Sequence, residues 1–239
     1  MSEHFIVSHG VKLWSNVEGK GIPVLLCLGG PGCSDYLGPV AEMISGVSRA
    51  IRYEQRGCGR SDRIPPYDID TELRDMEAIR EYYGVDRWIV GGHSWGANLA
   101  LAYALAHREK VLGLIYLSGP GIQHDIDWRA AKEKGRQERG EERPAASLEC
   151  DEEVQQQLIE SWNSFIKTTD LWKNISQLDI PALFVYGKQD FRPIWPVLQL
   201  ASLMPNVRLE IMDGEHFMWL TQAEELRRLL RGFIKSIYQ

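Results

Sequence analysis

The sequence predicts an α/β fold: a mostly parallel, eight-stranded sheet with helices on both faces and a small helical insertion. Three observations carry this. Apolar runs alternate with amphipathic stretches along most of the 239 residues. Several runs are continuously apolar, as expected of strands covered on both faces. One of them, Trp88-Ile89-Val90, enters Gly91-Gly92-His93-Ser94-Trp95-Gly96 and leaves into the small, apolar helical pattern 97–104. That is a strand, a sharp turn and a helix, with a serine at the apex.

Residues 4–8 and 11–17 read as two short strands joined at Gly10, an edge hairpin. Residues 23–28 form an apolar strand ending in Gly29-Gly30-Pro31-Gly32. Residues 35–44 have weak helical character, and 48–53 is the next strand, running into Glu54-Gln55-Arg56-Gly57. An amphipathic helix over 71–83 places Leu73, Met76 and Ile79 on one side and ends at Gly84. After the central strand and its helix, 110–118 is another apolar strand. From 123 to about 176 no strand signal occurs, charge is dense, and Trp128, Trp162 and Trp172 stand out. The division expected is therefore a core of residues 1–121 and 177–239 with a helical cap over 122–176. The alternation resumes with strand 180–186, helix 196–203, strand 207–212 and helix 223–237.

Composition excludes several classes of function. A net charge of −6, with no basic patch interleaved with aromatics, argues against nucleic acid as a partner. No run is long and apolar enough to span a bilayer, and the N-terminus lacks a signal-peptide pattern. Cys27, Cys33, Cys58 and Cys150 show neither metal nor disulfide-framework spacing, so reduced thiols and a cytoplasmic location are expected. The six histidines lack metal-ligand spacing. The glycine loop 29–32 lacks a following Gly-Lys-Ser/Thr, so neither metal, nucleotide nor other cofactor is expected. The partner expected is a small molecule or short peptide, with the chain a monomer or homodimer.

A serine hydroxyl needs an adjacent base, and the base an orienting acid. In a parallel sheet both belong in loops at the carboxyl ends of later strands. Those loops carry Asp190 and His216, giving the chain order Ser94, Asp190, His216. Asp179 precedes its strand and lies at the wrong end, and Asp213 reads as a turn former before Gly214. His107 and His124 follow elements without a comparable partner, and His93 reads as a packed strand-end residue pointing away from Ser94. An oxyanion would be held by the N–H of Trp95 and by one from the glycine loop.

These motifs resemble the α/β-hydrolase superfamily, and within it the proline iminopeptidase branch. That branch carries His-Gly-Gly-Pro-Gly, Asp-Gln-Arg-Gly-x-Gly-x-Ser and Gly-Gly-Ser-Trp-Gly. The corresponding segments here are Leu28-Gly29-Gly30-Pro31-Gly32, Glu54-Gln55-Arg56-Gly57-Cys58-Gly59-Arg60-Ser61 and Gly92-His93-Ser94-Trp95-Gly96. The resemblance implies Ser94 as nucleophile, Asp190 as acid, His216 as base, and Gly30 and Trp95 as oxyanion donors. It departs at Leu28, at Glu54 and in an insertion about half the size of that branch's cap. Acidic cap residues hold the substrate amine in those enzymes. Glu141, Glu142, Glu149, Asp151, Glu152 and Glu153 fall in the corresponding part of the chain, although a charge run is ordinarily a solvated face. Trp195, Trp219 and Phe191 are the expected substrate-pocket residues, with Trp195 or the cap tryptophans expected to line the cleft.

The function expected is a serine hydrolase acting through an acyl-enzyme on a small, partly apolar ester or amide, including an aminopeptidase of the iminopeptidase kind. The alternatives are a carboxylesterase or lactonase, a C–C bond hydrolase, a cofactor-free haloperoxidase, and a non-catalytic receptor on the same fold.

Overall fold

A computed structural model describes residues 2–122, 125–139 and 149–237. The first two strands, β1 (Ser2–Ser8) and β2 (Val11–Gly19), form the expected hairpin. It turns at His9 and Gly10, both with positive φ. Six further strands complete the sheet: β3 (Ile22–Cys27), β4 (Ser48–Tyr53), β5 (Trp88–His93), β6 (Val111–Leu117), β7 (Ala182–Gly187) and β8 (Val207–Met212). Their order is β1-β2-β4-β3-β5-β6-β7-β8. β2 runs antiparallel to β1 and β4, and every other pairing is parallel.

Strand alternation sorts side chains to two faces. Leu25, Ile51, Val90, Leu114 and Phe184 face one core. That face is covered by α2 (Ile69–Tyr82), α3 (Trp95–Ala106) and α7 (Trp195–Leu203). Leu26, Ala50, Ile89, Ile115 and Val185 face the other core, covered by α1 (Gly38–Ser45) and α8 (Ala223–Ser236). β5 and β7 are buried at every residue, whereas the edge strand β8 buries only Met212. α2 begins two residues before the expected start because Asp68 caps it, accepting from Thr71 N–H at 2.7 Å.

The chain passes from β3 outward to β4 but crosses to the other side for β5. The order therefore reverses between β3 and β5, and a crevice opens beyond their carboxyl ends. Among the described residues between β6 and β7 lie three helices, α4 (Ile126–Arg139), α5 (Glu152–Phe165) and α6 (Leu171–Ser176). Val154, Leu158 and Trp162 of α5 join the same core as α2 and α3, so this insertion shares the body's apolar interior.

The thiols depart from expectation. Cys33 and Cys150 form a disulfide across 117 residues of sequence. An isolated antiparallel bridge surrounds it, with Ser34 N–H donating to Glu149 C=O at 3.0 Å and Asp151 N–H to Gly32 C=O at 3.1 Å. Spacing could not reveal the pair, because the fold, and not the local sequence, brings the two loops together. Only Cys27 and Cys58 are free, and burial pushes both thiols up. The cytoplasmic expectation loses the reduced thiols it rested on, since disulfides persist mainly in oxidising compartments. Among the described residues no helix is long and apolar enough to cross a membrane.

Removing this cross-link frees a long loop in the unfolded chain. Changing Cys33 and Cys150 together to serine is expected to lower stability by about 2–4 kcal/mol in denaturant titration. An unchanged midpoint would show that the bond contributes nothing.

Candidate active site

Ser94 sits at φ 56 and ψ −125 between β5 and α3, a backbone region that side-chain-bearing residues rarely enter. Its neighbours force it there. A Cβ on Gly92 would lie 2.1 Å from the Gly96 carbonyl, and one on Gly96 would lie 2.2 Å from the Cys27 carbonyl. Strand, helix and β3 thus meet with no room for side chains. Ser94 N–H donates to Leu117 C=O at 2.8 Å, pinning the turn to β6. The serine is half-buried, whereas its flanking residues are fully so. Trp95 opens α3, so its N–H has no partner within the helix.

The glycine loop after β3 lies against this turn. A Cβ on Gly29 would come within 2.8 Å of Ser94 Cβ, and Gly30 has φ 119. Gln155 of α5 holds the loop from above, donating to Gly30 C=O at 2.6 Å.

Asp190 and His216 lie in the loops after β7 and β8, as expected. Both are buried, and Asp190 Oδ2 is 2.6 Å from His216 Nδ1. His216 Nδ1–H therefore donates to the carboxylate, which keeps the imidazole proton on Nδ1 and the basic lone pair on Nε2. Asp190 Oδ1 accepts from the Arg192 N–H at 2.9 Å and from its guanidinium at 3.0 Å. Burial works against the Asp190 charge, but His216 and Arg192 outweigh it and hold the carboxyl below the usual range. The His216 carbonyl accepts from Ser118 Oγ at 3.1 Å and lies 3.0 Å from His93 Nε2. The rival acids stay exposed: Asp179 is solvated, and Asp213 accepts from Gln189.

Ser94 and His216 line one cleft of about 230 Å3, with Gly30, Tyr36 and Cys33 in its wall. A second lobe of about 410 Å3 also reaches Ser94, walled by Trp95, Trp128, Ile159 and Trp162. Arg129, Lys132 and Arg192 supply the charge in the two lobes, and no carboxylate lines either among the described residues. A larger hollow, about 660 Å3, follows α2 at Asp68 and Glu81 and contains none of these groups. Chemistry, and not size, selects the smaller cleft.

The expected pocket residues lie elsewhere. Trp195 is 38% exposed at the start of α7. Trp219 is buried, its ring stacked on Tyr36, and Phe191 is buried beneath the Arg192 guanidinium. None of the three lines the cleft. The chain turns Trp219 and Phe191 into the body and leaves Trp195 at the surface, while the cap tryptophans Trp128 and Trp162, the alternative expected, line the lobe that reaches Ser94. Of the acidic cap residues, Asp151 caps α5 and pairs with Arg63, while Glu149, Glu152 and Glu153 are exposed. Glu141, Glu142 and His124 lie outside the described residues. Glu54 braces its own loop, accepting from Arg60 N–H and Asp35 N–H. No described group of three or more His, Cys, Asp or Glu could hold a metal.

A family model described as the alpha/beta hydrolase fold matches residues 22–203. Proline iminopeptidase from Neisseria gonorrhoeae is 38% identical over 104 residues, covering 40% of this chain and 32% of that protein. The chain spans about a third of the length of these curated relatives. Among solved structures, a meta-cleavage product hydrolase from Pseudomonas fluorescens superposes with a TM-score of 0.77 at 23% identity, covering 98% of this chain and 97% of that one. An esterase from Exiguobacterium antarcticum gives 0.77 at 22%, covering 97% and 98%. At such identities the structural likeness is one of fold.

The Asp190 charge has a predictable pH signature. A carboxyl whose folded value is depressed contributes stability above its unfolded value, near 3.9, and loses it as pH falls through the folded value. Asp190→Asn should therefore cost about 2 kcal/mol near neutral pH, with the gap to wild type narrowing below about pH 4 in urea titrations. A pH-independent gap would contradict this.

Proposed function

The chain belongs to the alpha/beta hydrolase fold family, and from that premise we propose that it is a serine hydrolase with Ser94 as nucleophile, His216 as base and Asp190 as orienting acid. The observation that carries this is the buried Asp190–His216 pair, 2.6 Å apart, in the wall of the cleft that holds Ser94. His216 Nε2 takes the Ser94 proton as Oγ attacks the substrate carbonyl. The N–H groups of Gly30 and Trp95 stabilise the oxyanion, the latter at the positive end of α3. His216 then gives the proton to the leaving group, and water releases the acyl group by the reverse sequence. The buried, hydrogen-bonded acid and base count against a receptor that has lost its chemistry.

The substrate is a small, partly apolar ester, lactone or amide, whose acyl part fits the lobe walled by Trp128, Ile159 and Trp162. The iminopeptidase relatives support a second reading, release of an N-terminal residue. That reading needs a carboxylate to hold the substrate amine, and none among the described residues lines the cleft. The ester or lactone reading is therefore the better supported. Hydrolysis of a C–C bond and cofactor-free haloperoxidation use the same acid–base pair and have only a likeness of fold behind them.

A fluorophosphonate probe should label the wild type and leave Ser94→Ala unlabelled, with kcat on p-nitrophenyl butyrate falling by about 10⁴-fold or more. Equal labelling would end the serine hydrolase reading. Comparing that ester with proline-naphthylamide separates the substrates, and faster turnover of the amide would favour the aminopeptidase.

A further inference from the structure

His93 is wholly buried and immediately precedes Ser94. Both ring nitrogens meet polar atoms. Nδ1 lies 2.8 Å from Tyr36 Oη, and Nε2 lies 3.0 Å from the His216 carbonyl. Tyr36 Oη in turn accepts from Gly29 N–H at 2.8 Å. The ends of this chain fix its direction. A backbone N–H can only donate, and a backbone carbonyl can only accept. Nε2 therefore carries the proton shared with the His216 carbonyl, and a neutral ring must accept the Tyr36 hydroxyl proton at Nδ1. Nδ1 is then the bare nitrogen, and Nε2 donates to His216.

A charged His93 would require Tyr36 to accept twice. Burial and the adjacent His216 push His93 well below the ordinary histidine range, with Arg192 acting in the same direction and Asp190 against it. The ring has no freedom to turn. Its centroid is 4.5 Å from that of His216, 4.7 Å from that of Trp219 and 5.0 Å from that of Phe217.

We infer that His93 is a positioning residue: with Tyr36 it forms a directed hydrogen-bond chain tying the glycine loop after β3 to the backbone of His216. The oxyanion donors and the base then keep one mutual register. His216 is held at its carbonyl by His93 and Ser118 and at Nδ1 by Asp190. The iminopeptidase pattern Gly-Gly-Ser-Trp-Gly has glycine at this place, so the bridge belongs to this chain and not to that motif. The kinetic consequence rests on the serine hydrolase reading. The bond chain itself does not.

Three variants of the full-length chain test it on p-nitrophenyl butyrate, with melting temperatures recorded alongside. His93→Phe keeps a ring but deletes both bonds. It should lower kcat by about 10–100-fold, with KM moving less than about threefold, as misplacement of a catalytic group does. Tyr36→Phe, which leaves the His93 ring intact, should lower kcat by about 3–10-fold. His93→Gln can accept from Tyr36 and donate to His216, and should recover to within about fivefold of wild type. A wild-type kcat in His93→Phe, or no recovery in His93→Gln, overturns the inference. If His93→Phe does not fold, Tyr36→Phe decides, and a wild-type kcat there overturns it. A nitrogen-resolved imidazole spectrum of the wild-type chain is independent of any activity. It should show His93 neutral and protonated at Nε2 from about pH 8 to about pH 5. An Nδ1-protonated or titrating His93 overturns the inference even if the chain proves to be no hydrolase.

Discussion

The close approach of three backbone segments at the elbow is the constraint on which the site depends. β5 must turn into α3 while β3 passes beneath, and the carbonyls of Gly96 and Cys27 stand within bonding distance of where side chains would begin. Glycine at 92 and 96 is the only solution. The left-handed Ser94 follows from it, and so does the placement of its hydroxyl above the packing. The reversal of strand order between β3 and β5 then sets the glycine loop beside the serine in the lining of one crevice. Everything that acts on Ser94 comes to it over the carboxyl edge of the sheet.

That edge explains how much of the molecule was legible in the sequence. Strand and helix periodicity located all eight strands, and β4 and β8 coincide with their expected bounds. Asp190 and His216 could be picked out because topology confines such groups to strand ends, although Asp213 also follows β8 and is set aside only as a turn former before Gly214. Relations between distant loops were not legible. Cys33 and Cys150 look unrelated in a linear reading, and Trp219 and Phe191 look like pocket residues until the chain is seen to turn them inward. His93 was read as packing alone. Its burial bears that out, but the polarity of its bonds to Tyr36 and His216 depends on which groups surround it, and no spacing encodes that.

The insertion is held to the glycine loop more tightly than a loosely hinged lid would be. A disulfide, two backbone hydrogen bonds and the Gln155 amide join the start of α5 to residues 30–34. α5 also shares its apolar residues with α2 and α3. The glycine loop is thus fixed from the insertion side by Gln155 and Cys150, and from the body side by Tyr36. Preorganisation of this kind lowers the cost of rearranging dipoles as charge develops.

The account stands or falls on whether the Ser94 hydroxyl, the His216 imidazole and the two loop N–H groups converge on a single reacting atom. A crystal structure of the chain inactivated by a p-nitrophenyl alkylphosphonate tests this directly. Phosphorus bonded to Ser94 Oγ is predicted, with one phosphoryl oxygen about 3 Å from the N–H groups of both Gly30 and Trp95 and His216 Nε2 in hydrogen-bond reach of the adduct. Phosphorus on another residue, or an oxygen turned away from both N–H groups, would contradict it.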